Sequence, residues 1–363
     1  MKSFTLKCAL FMIPIIAFFA FPFTVYLLSG EFVSMPAVLD EQWNSGKEIL
    51  YGSAFTYATP IPYKILGTVK MDPEILALGL SRTLTIRSIF FKDPGSFYNA
   101  GSAVHIAPDL PAFMDRTAPD ARLRVILFDA SNLLFDDPSD HIQDQSSFYD
   151  MSHQFLSSGW RQVYMDYADG KFSMRDLLQT GDASTSYIGL AAMRDRRGFR
   201  KDGSMDWGDA VYLDKLKEAL PSDIADNASN VTLAHEPHFS PDNLAAIDQF
   251  LSVCKQRGMY VIGYMSPYAT EIYQKEQSLD NPSGIYKTEP VYLATVLKKY
   301  GFPFYNLKDL AAIDSSDAEL YNSIHSDEKG MLKLLLYLVE REPRLADYLD
   351  AKSLEKMIAG EDY

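Results

Sequence analysis

Apolar residues follow two patterns along this chain. From Cys8 to Leu28 they form one uncharged run, and from residue 72 onward they form short runs separated by amphipathic segments. Short apolar runs predict buried strands, and apolar residues at helical spacing predict helices. The predicted strands are Ile75–Gly79, Ser96–Ala100, Arg124–Phe128, Met259–Met265 and Phe302–Leu307. The predicted helices are Thr83–Phe91, Pro108–Thr117, Pro241–Arg257, Pro290–Tyr300 and Asp327–Glu340. Such alternation indicates an α/β domain, a parallel sheet covered by helices on both faces.

The alternation has two interruptions. Residues 31–71, rich in Tyr, Pro and Gly towards their end, predict a stem with irregular structure, so the α/β domain is expected to cover residues 72–363. Residues 136–230 predict an insertion of the kind that forms lids or substrate walls at the edge of a sheet. It carries a basic cluster, which either contacts an anionic substrate or lipid headgroups or is a solvated loop. The cluster comprises Arg194, Arg196, Arg197, Arg200 and Lys201.

The run from Cys8 to Leu28 is long enough to cross a bilayer. Lys2 and Lys7 precede it, which predicts a cytoplasmic N-terminus, and no small-residue cleavage site follows it. An uncleaved transmembrane signal anchor over residues 1–30 is therefore favoured over a signal peptide. This predicts a single-pass protein of the inner (cytoplasmic) membrane, with its domain extracytoplasmic, in the periplasm.

Composition narrows the function classes. The chain has 363 residues and a formal net charge of −14, which argues against nucleic acid as a partner. Cys8 lies in the predicted anchor and Cys254 in a predicted helix, so no disulfide framework is expected. His235 and His238 resemble a metal pair, but Pro237 interrupts any helix between them, and we predict neither a metal nor another cofactor.

The stretch from Glu74 to Arg82 carries the first candidate chemistry. An apolar run ends at Gly79, and Ser81 follows at the start of a predicted helix. A strand that passes through a glycine turn into a helix exposes a nucleophilic serine in α/β hydrolases. The alternative interpretation is a serine that caps the next helix.

A second block near the C-terminus makes the first more specific. Asn322 and His325 are spaced as Asn-x-x-His and precede an apolar helix. With the blocks Leu78–Arg82 and Phe97–Gly101, this order resembles the SGNH (GDSL-like) hydrolase superfamily over about residues 72–348. The run that comprises Phe239–Pro241 and Gly258–Pro267 is similar to members that act on bacterial envelope polymers.

This resemblance implies a three-layer α/β/α flavodoxin-like fold with five parallel strands in the order 2-1-3-4-5. It also implies site roles: Ser81 as nucleophile, His325 as acid and base, and an oxyanion hole built from the backbone N–H groups of Ser81 and Gly101. A side-chain amide completes that hole in the family. Asn132, after the third predicted strand, is in a similar position but could equally be a turn residue.

The chain departs from the family pattern at two positions. Leu80 stands where the family has Asp beside the serine, and Asn322 stands where it has the Asp of the triad. A carboxylate at that position stabilises the imidazolium that forms when histidine takes the serine proton. Three hypotheses remain: a nearby Asp supplies the carboxylate, the enzyme works slowly as a Ser–His dyad, or the site only binds. The candidate carboxylates are Asp314, Asp317 and Asp327.

The resemblance implies a membrane-anchored esterase or O-acyltransferase that forms an acyl-enzyme on Ser81. Its expected partners are an acyl-polysaccharide of the cell envelope or another acyl donor, and a membrane acyltransferase that delivers acyl groups. One alternative is a catalytically degenerate carbohydrate-binding or scaffold protein on the same fold. A further alternative is a lipid-directed ester hydrolase, suggested by the anchor and the basic cluster.

Overall fold

The structure is a computed structural model, and it describes residues 2–54, 60–117, 122–134, 159–178, 185–231, 240–279 and 284–361. The chain divides into two compact units. The first comprises Met1–Thr59, Asp144–Lys201 and Asp206–Asp209. The second comprises Pro60–Gln143, Asp202–Met205 and Ala210–Tyr363.

The described residues form the following helices and strands. The helices are α1 (Lys2–Leu28), α2 (Met35–Asn44), α3 (Ile61–Met71), α4 (Asp109–Arg116), α5 (Trp160–Ala168), α6 (Met174–Leu178), α7 (Leu190–Asp195), α8 (Ala210–Val231), α9 (Pro241–Gln256), α10 (Thr270–Ser278), α11 (Ile285–Lys299), α12 (Glu328–Val339) and α13 (Ala351–Ala359). The strands are β1 (Glu48–Tyr51), β2 (Ile75–Gly79), β3 (Phe97–Gly101), β4 (Val125–Asp129), β5 (Thr185–Ile188), β6 (Gly198–Phe199), β7 (Met205–Asp206), β8 (Tyr260–Met265), β9 (Phe304–Asn306), β10 (Leu320–Asn322) and β11 (His325–Ser326).

The second unit is built on a five-stranded sheet in the order β3-β2-β4-β8-β9, and every neighbouring pair is parallel. Counted along the chain within this sheet alone, the order is 2-1-3-4-5. All residues of β2, β3 and β4 are buried, as expected for strands covered on both faces. The predicted α/β class with a parallel sheet is thus confirmed. The register pairs Gly79 with Gly101, so β2 and β3 end side by side.

The predicted helix Thr83–Phe91 is wrong. Two short 3₁₀ turns, Ser81–Thr83 and Ser88–Phe90, occupy this segment instead. The Asn99 side chain donates hydrogen bonds to the carbonyls of Thr83 and Ile86, at 2.7 and 2.8 Å. Those carbonyls would be hydrogen-bond acceptors within a continuous helix, so the contact from β3 holds the segment in its irregular form.

The predicted stem at residues 31–71 also differs from the structure, which places α2, β1 and α3 there. Strand β1 pairs in parallel with β5, a segment taken from the predicted insertion. The second unit begins at residue 60 and includes α8, so neither the start at residue 72 nor the insertion at 136–230 matches the observed division. A pairing between segments so distant in sequence leaves no local signal from which to predict it.

The basic cluster lies in the first unit, where several of its side chains form ion pairs. Arg194 contacts Asp166 at 2.7 Å, and Arg200 contacts Glu48 at 3.1 Å. These arginines therefore have partners within the chain, whereas in a solvated loop they would contact only water. The proposal that they hold an anionic substrate gains no support from this arrangement.

Helix α1 includes one stretch, Leu10–Leu28, that is long and apolar enough to cross a membrane. Large apolar side chains in its N-terminal half are exposed, among them Phe11 at 69% and Ile16 at 61%. Towards its C-terminus the helix contacts α5, where the Phe18 and Trp160 rings lie 5.2 Å apart. Exposed apolar surface of this extent is typical of a region that meets lipid or another protein.

Candidate active site

Ser81 lies just beyond the carboxyl end of β2, at the edge where ligands bind in open α/β sheets. Gly79 ends the strand with φ +150°, a conformation that side chains rarely adopt. A Cβ at this position would lie 2.6 Å from the Asp129 carbonyl oxygen of the neighbouring strand. Only glycine fits, and the turn it makes leads the chain through the extended Leu80 to Ser81.

His325 is placed by a small antiparallel hairpin. Asn322 at the end of β10 is the register partner of His325 at the start of β11. The turn between them is held by α8, because the Ser323 N–H donates to Asp223 Oδ2 at 2.7 Å. Immediately afterwards Asp327 caps α12 by accepting a hydrogen bond from the Gly330 N–H at 2.9 Å. The imidazole therefore projects from a short hairpin fixed at both sides.

The structure brings Ser81, His325 and Asn322 into one hydrogen-bonded chain. The Ser81 Oγ lies 2.8 Å from His325 Nε2, and His325 Nδ1 lies 2.9 Å from Asn322 Oδ1. The same oxygen accepts the backbone N–H groups of Ile324 and His325 at 3.1 and 2.9 Å. Since N–H donors surround it, this atom is the amide oxygen, and the imidazole must carry its proton on Nδ1. Nε2 then carries no proton and can accept that of Ser81.

The pKa of His325 is lowered to about 4, from an ordinary value of 6.5. Burial of the imidazole is the main cause, and the positive charge of Arg82 adds to it. The carboxylate of Asp223 acts in the opposite direction and raises this pKa. At neutral pH the ring is therefore uncharged, which is the form that a general base requires.

The candidate carboxylates have other positions and partners. Asp317 accepts hydrogen bonds from the backbone and side chain of Thr270, at 2.8 and 3.1 Å, and Asp327 serves as the cap of α12. Asp314 is exposed at the end of a 3₁₀ turn. The Nδ1 partner of His325 is thus Asn322. The carboxylate that acts electrostatically on the ring is Asp223, which sequence reasoning missed because it lies in the predicted insertion.

The predicted oxyanion-hole donors differ in their hydrogen bonds. The Ser81 N–H has no hydrogen-bond acceptor among the described residues, and it follows the end of β2. The Gly101 N–H, in contrast, donates to the Asn99 side chain at 2.8 Å. Asn132 has φ +62° and an exposed side chain beyond the end of β4, with its backbone N–H 3.1 Å from Glu289 Oε1. In this arrangement Ser81 offers a free backbone donor, while the N–H of Gly101 already has an acceptor.

Gly101 has a packing role. A Cβ at this position would lie 2.2 Å from Thr83 Oγ1 and 2.8 Å from Asn99 Oδ1. The absence of a side chain therefore lets β3 approach the turn that carries Ser81. This close packing is sufficient to explain why residue 101 is a glycine.

His235 and His238 lie outside the described residues. Within the described ranges, no group of three or more His, Cys, Asp or Glu side chains is arranged to hold a metal ion. Comparisons with protein-family models, curated proteins and solved structures find no match to this chain. The chemistry of the site consequently rests on its own geometry.

Proposed function

We propose that this protein is a membrane-anchored acyl-transfer enzyme of SGNH type, an esterase or O-acyltransferase that uses Ser81 as its nucleophile. The observation that carries the proposal is the hydrogen-bonded chain of Ser81, His325 and Asn322 at the carboxyl edge of a parallel sheet. Nucleophile, base and orienting group in this geometry are the signature of activated-serine catalysis on several unrelated folds.

The reaction proceeds in two balanced steps. In the first, Ser81 Oγ attacks the ester carbonyl while its proton passes to His325 Nε2, and the tetrahedral intermediate then releases the alcohol, which takes that proton. In the second, water or a sugar hydroxyl gives its proton to His325 and attacks the acyl-enzyme, and the returning proton restores Ser81. Water gives hydrolysis, and a hydroxyl group gives O-acyl transfer.

Asn322 weakens this machinery without disabling it. In a serine protease, replacing the triad Asp by Asn costs about 10⁴-fold in kcat because the imidazole takes the wrong tautomer. Here the backbone N–H groups fix the amide oxygen towards Nδ1, so the tautomer is the productive one. What Asn322 lacks is the negative charge that stabilises the imidazolium, and a slow enzyme is the expected result.

The substrate class follows from location and resemblance. The apolar α1 supports an anchor in the cytoplasmic membrane with the domain on the periplasmic side, where cell-envelope polysaccharides are found. The sequence resemblance to envelope-polymer members points to acyl groups on such a polymer. A membrane acyltransferase that delivers the acyl group would be the natural partner of an anchored domain.

The decisive experiment is labelling of the full-length protein in detergent with a serine-directed phosphonate, followed by peptide mapping. We expect one modified residue, Ser81, and hydrolysis of a short aryl ester that Ser81→Ala abolishes. Ser81→Ala should retain its fold, because Ser81 Oγ has one hydrogen bond, worth about 1 kcal/mol. Ser278→Ala, at an exposed position, is the matched control.

The rival function is a binding protein on the same fold, favoured by the missing carboxylate at position 322. It predicts neither labelling nor turnover in wild type, and no gain from Asn322→Asp. Labelling at Ser81 without ester turnover would show a reactive serine whose substrate is another acyl donor.

A further inference from the structure

Arg82, the residue after the nucleophile, is a buried cation with no hydrogen-bond acceptor among the described residues. Its side chain is 8% exposed, and its Nη1 atom is buried with no hydrogen-bond partner. The Tyr268 ring, whose centroid lies 5.2 Å from the guanidinium carbon, packs against it. No carboxylate among the described residues lies within ion-pair distance of Arg82.

Such a state is energetically costly. A buried guanidinium loses its hydration, and proteins normally compensate with a carboxylate or with several acceptors. Arginine presents a planar fork of donors that matches carboxylate and phosphate oxygens. A buried, unsatisfied arginine beside a reactive serine is therefore a preformed site for an anion.

Glu276, the carboxylate that accepts the Tyr268 hydroxyl, is not an ion-pair partner of Arg82. Lys308 Nζ lies 3.3 Å from Glu276 Oε2, and the Tyr268 hydroxyl donates to the same carboxylate. These groups form a set that is satisfied within itself. Glu276 is thus engaged with Lys308 and Tyr268 rather than with Arg82.

Glu289 is the second unsatisfied group nearby. It is fully buried, and its Oε2 has no partner, whereas Oε1 accepts the Asn132 N–H at 3.1 Å. Burial raises the pKa of Glu289 to about 7, although the charges of Lys308 and Arg82 act to lower it. At neutral pH this carboxyl is close to its midpoint, so it can take up a proton when a further negative charge arrives.

We propose that Arg82 binds an anionic substituent of the ester substrate, a carboxylate or a phosphate close to the scissile bond, and that Glu289 takes up a proton when it does so. This inference rests on the proposed function, because it names the substrate class of that same site. Arg82 follows Ser81 directly in the chain, and its positive charge lowers the pKa of His325. An anion bound to Arg82 would therefore lie beside the reacting groups. Neutral acetyl esters would be poor substrates by comparison.

Paired substrates test the proposal. Full-length protein is assayed with the 4-nitrophenyl esters of butyrate and of hemisuccinate, which have similar length and differ in charge. We expect wild type to prefer the hemisuccinate in kcat/KM. Arg82→Gln should lower the ratio of kcat/KM for hemisuccinate to that for butyrate by about 10- to 100-fold, the fold-change expected for one charge-assisted hydrogen bond. Arg82→Lys should recover part of the loss, and Arg87→Gln, whose native side chain pairs with Glu328, is the charge-matched control.

The pH dependence provides the second readout. In wild type the KM for the hemisuccinate should rise as the pH passes above about 7, because the proton on Glu289 is lost. Glu289→Gln should remove that dependence, and the control Arg87→Gln should retain it. Equal losses of kcat on both esters in Arg82→Gln, without a change in KM, would instead assign Arg82 to the oxyanion of the intermediate and overturn the proposal.

Binding separates this inference from the proposed function. Calorimetry on Ser81→Ala with monomethyl succinate and with methyl phosphate measures the site without turnover. Arg82-dependent binding of either probe supports the anion site even if wild type proves catalytically inert, and the stronger probe identifies the anionic group. Absence of binding to both probes in folded Ser81→Ala, while wild type hydrolyses the butyrate ester, refutes the anion site and leaves the acyl-transfer function intact.

Discussion

Replacing Asn322 by Asp tests the central feature of the site, an imidazole that lacks a carboxylate. The new carboxylate would take over the hydrogen bonds that Asn322 Oδ1 accepts from the Ile324 and His325 backbone and from Nδ1 at 2.9 Å. A negative charge at this distance raises a histidine pKa by about 1 to 3 units. The pKa of His325, now about 4, would then rise to a value closer to that of ordinary histidines.

The same interaction stabilises the imidazolium that forms during acyl transfer. Each pKa unit corresponds to about 1.4 kcal/mol and to a tenfold change in rate. Because Asn322 is half-buried, solvent screens part of the charge, and the lower end of that range applies. We therefore expect kcat to rise about 10- to 100-fold in Asn322→Asp.

The assay is the pH profile of kcat for a short aryl ester, measured on wild type, Asn322→Asp and the control Asn306→Asp. Asn306 is exposed at the end of β9 and receives the same change of charge away from the imidazole. The acid limb should move to higher pH only in Asn322→Asp, together with a higher plateau. A shifted limb with an unchanged plateau would refute the reasoning, because the imidazolium would then not limit the rate.

Four further results are expected. Wild-type activity should persist well below pH 6, because the pKa of His325 is about 4. The free energy of unfolding should fall as the pH drops from 6.5 towards 4, because in this range the unfolded chain binds a proton that the folded chain does not. His325→Gln should remove this pH dependence of the free energy of unfolding in denaturant titrations. Asp223→Asn should lower kcat several-fold at constant KM, because the charge that raises the pKa of His325 is lost. Gly101→Ala should lower the free energy of unfolding by about 1–3 kcal/mol in urea, and Thr83→Ala in the same chain should recover part of it, since Thr83 Oγ1 is the atom that a new Cβ would meet at 2.2 Å. Protease added to spheroplasts should digest the domain that follows Leu10–Leu28, and protection would refute the predicted topology.

Much of the second unit could be predicted from the sequence. Buried strands are short and almost wholly apolar, so β2, β4 and β8 stand out from their surroundings, and their observed ends differ from the predicted ones by only one residue or none. The contact between Asn322 and His325 is equally local, because the two residues face each other across a tight hairpin. The position of Ser81 after the end of a strand could also be predicted locally, because the turn at Gly79 needs a residue without a side chain.

Tertiary structure decided everything that depends on segments distant in sequence. The Asn99 side chain, in β3, donates a hydrogen bond to the segment after Ser81, where a helix was predicted, and accepts one from the Gly101 N–H. Asp223, in α8, accepts a hydrogen bond from the hairpin that carries His325, although the sequence pattern predicted this part of the chain to be an insertion. Arg82 has no distinguishing signal in the sequence, and only the tertiary structure, in which the Tyr268 ring packs against it, shows it to be a buried cation. The physical reason is the same for Asn99, Asp223 and Arg82. Hydrogen bonds and desolvation depend on which atoms the fold brings together, and the local sequence around a residue does not specify its neighbours from distant segments.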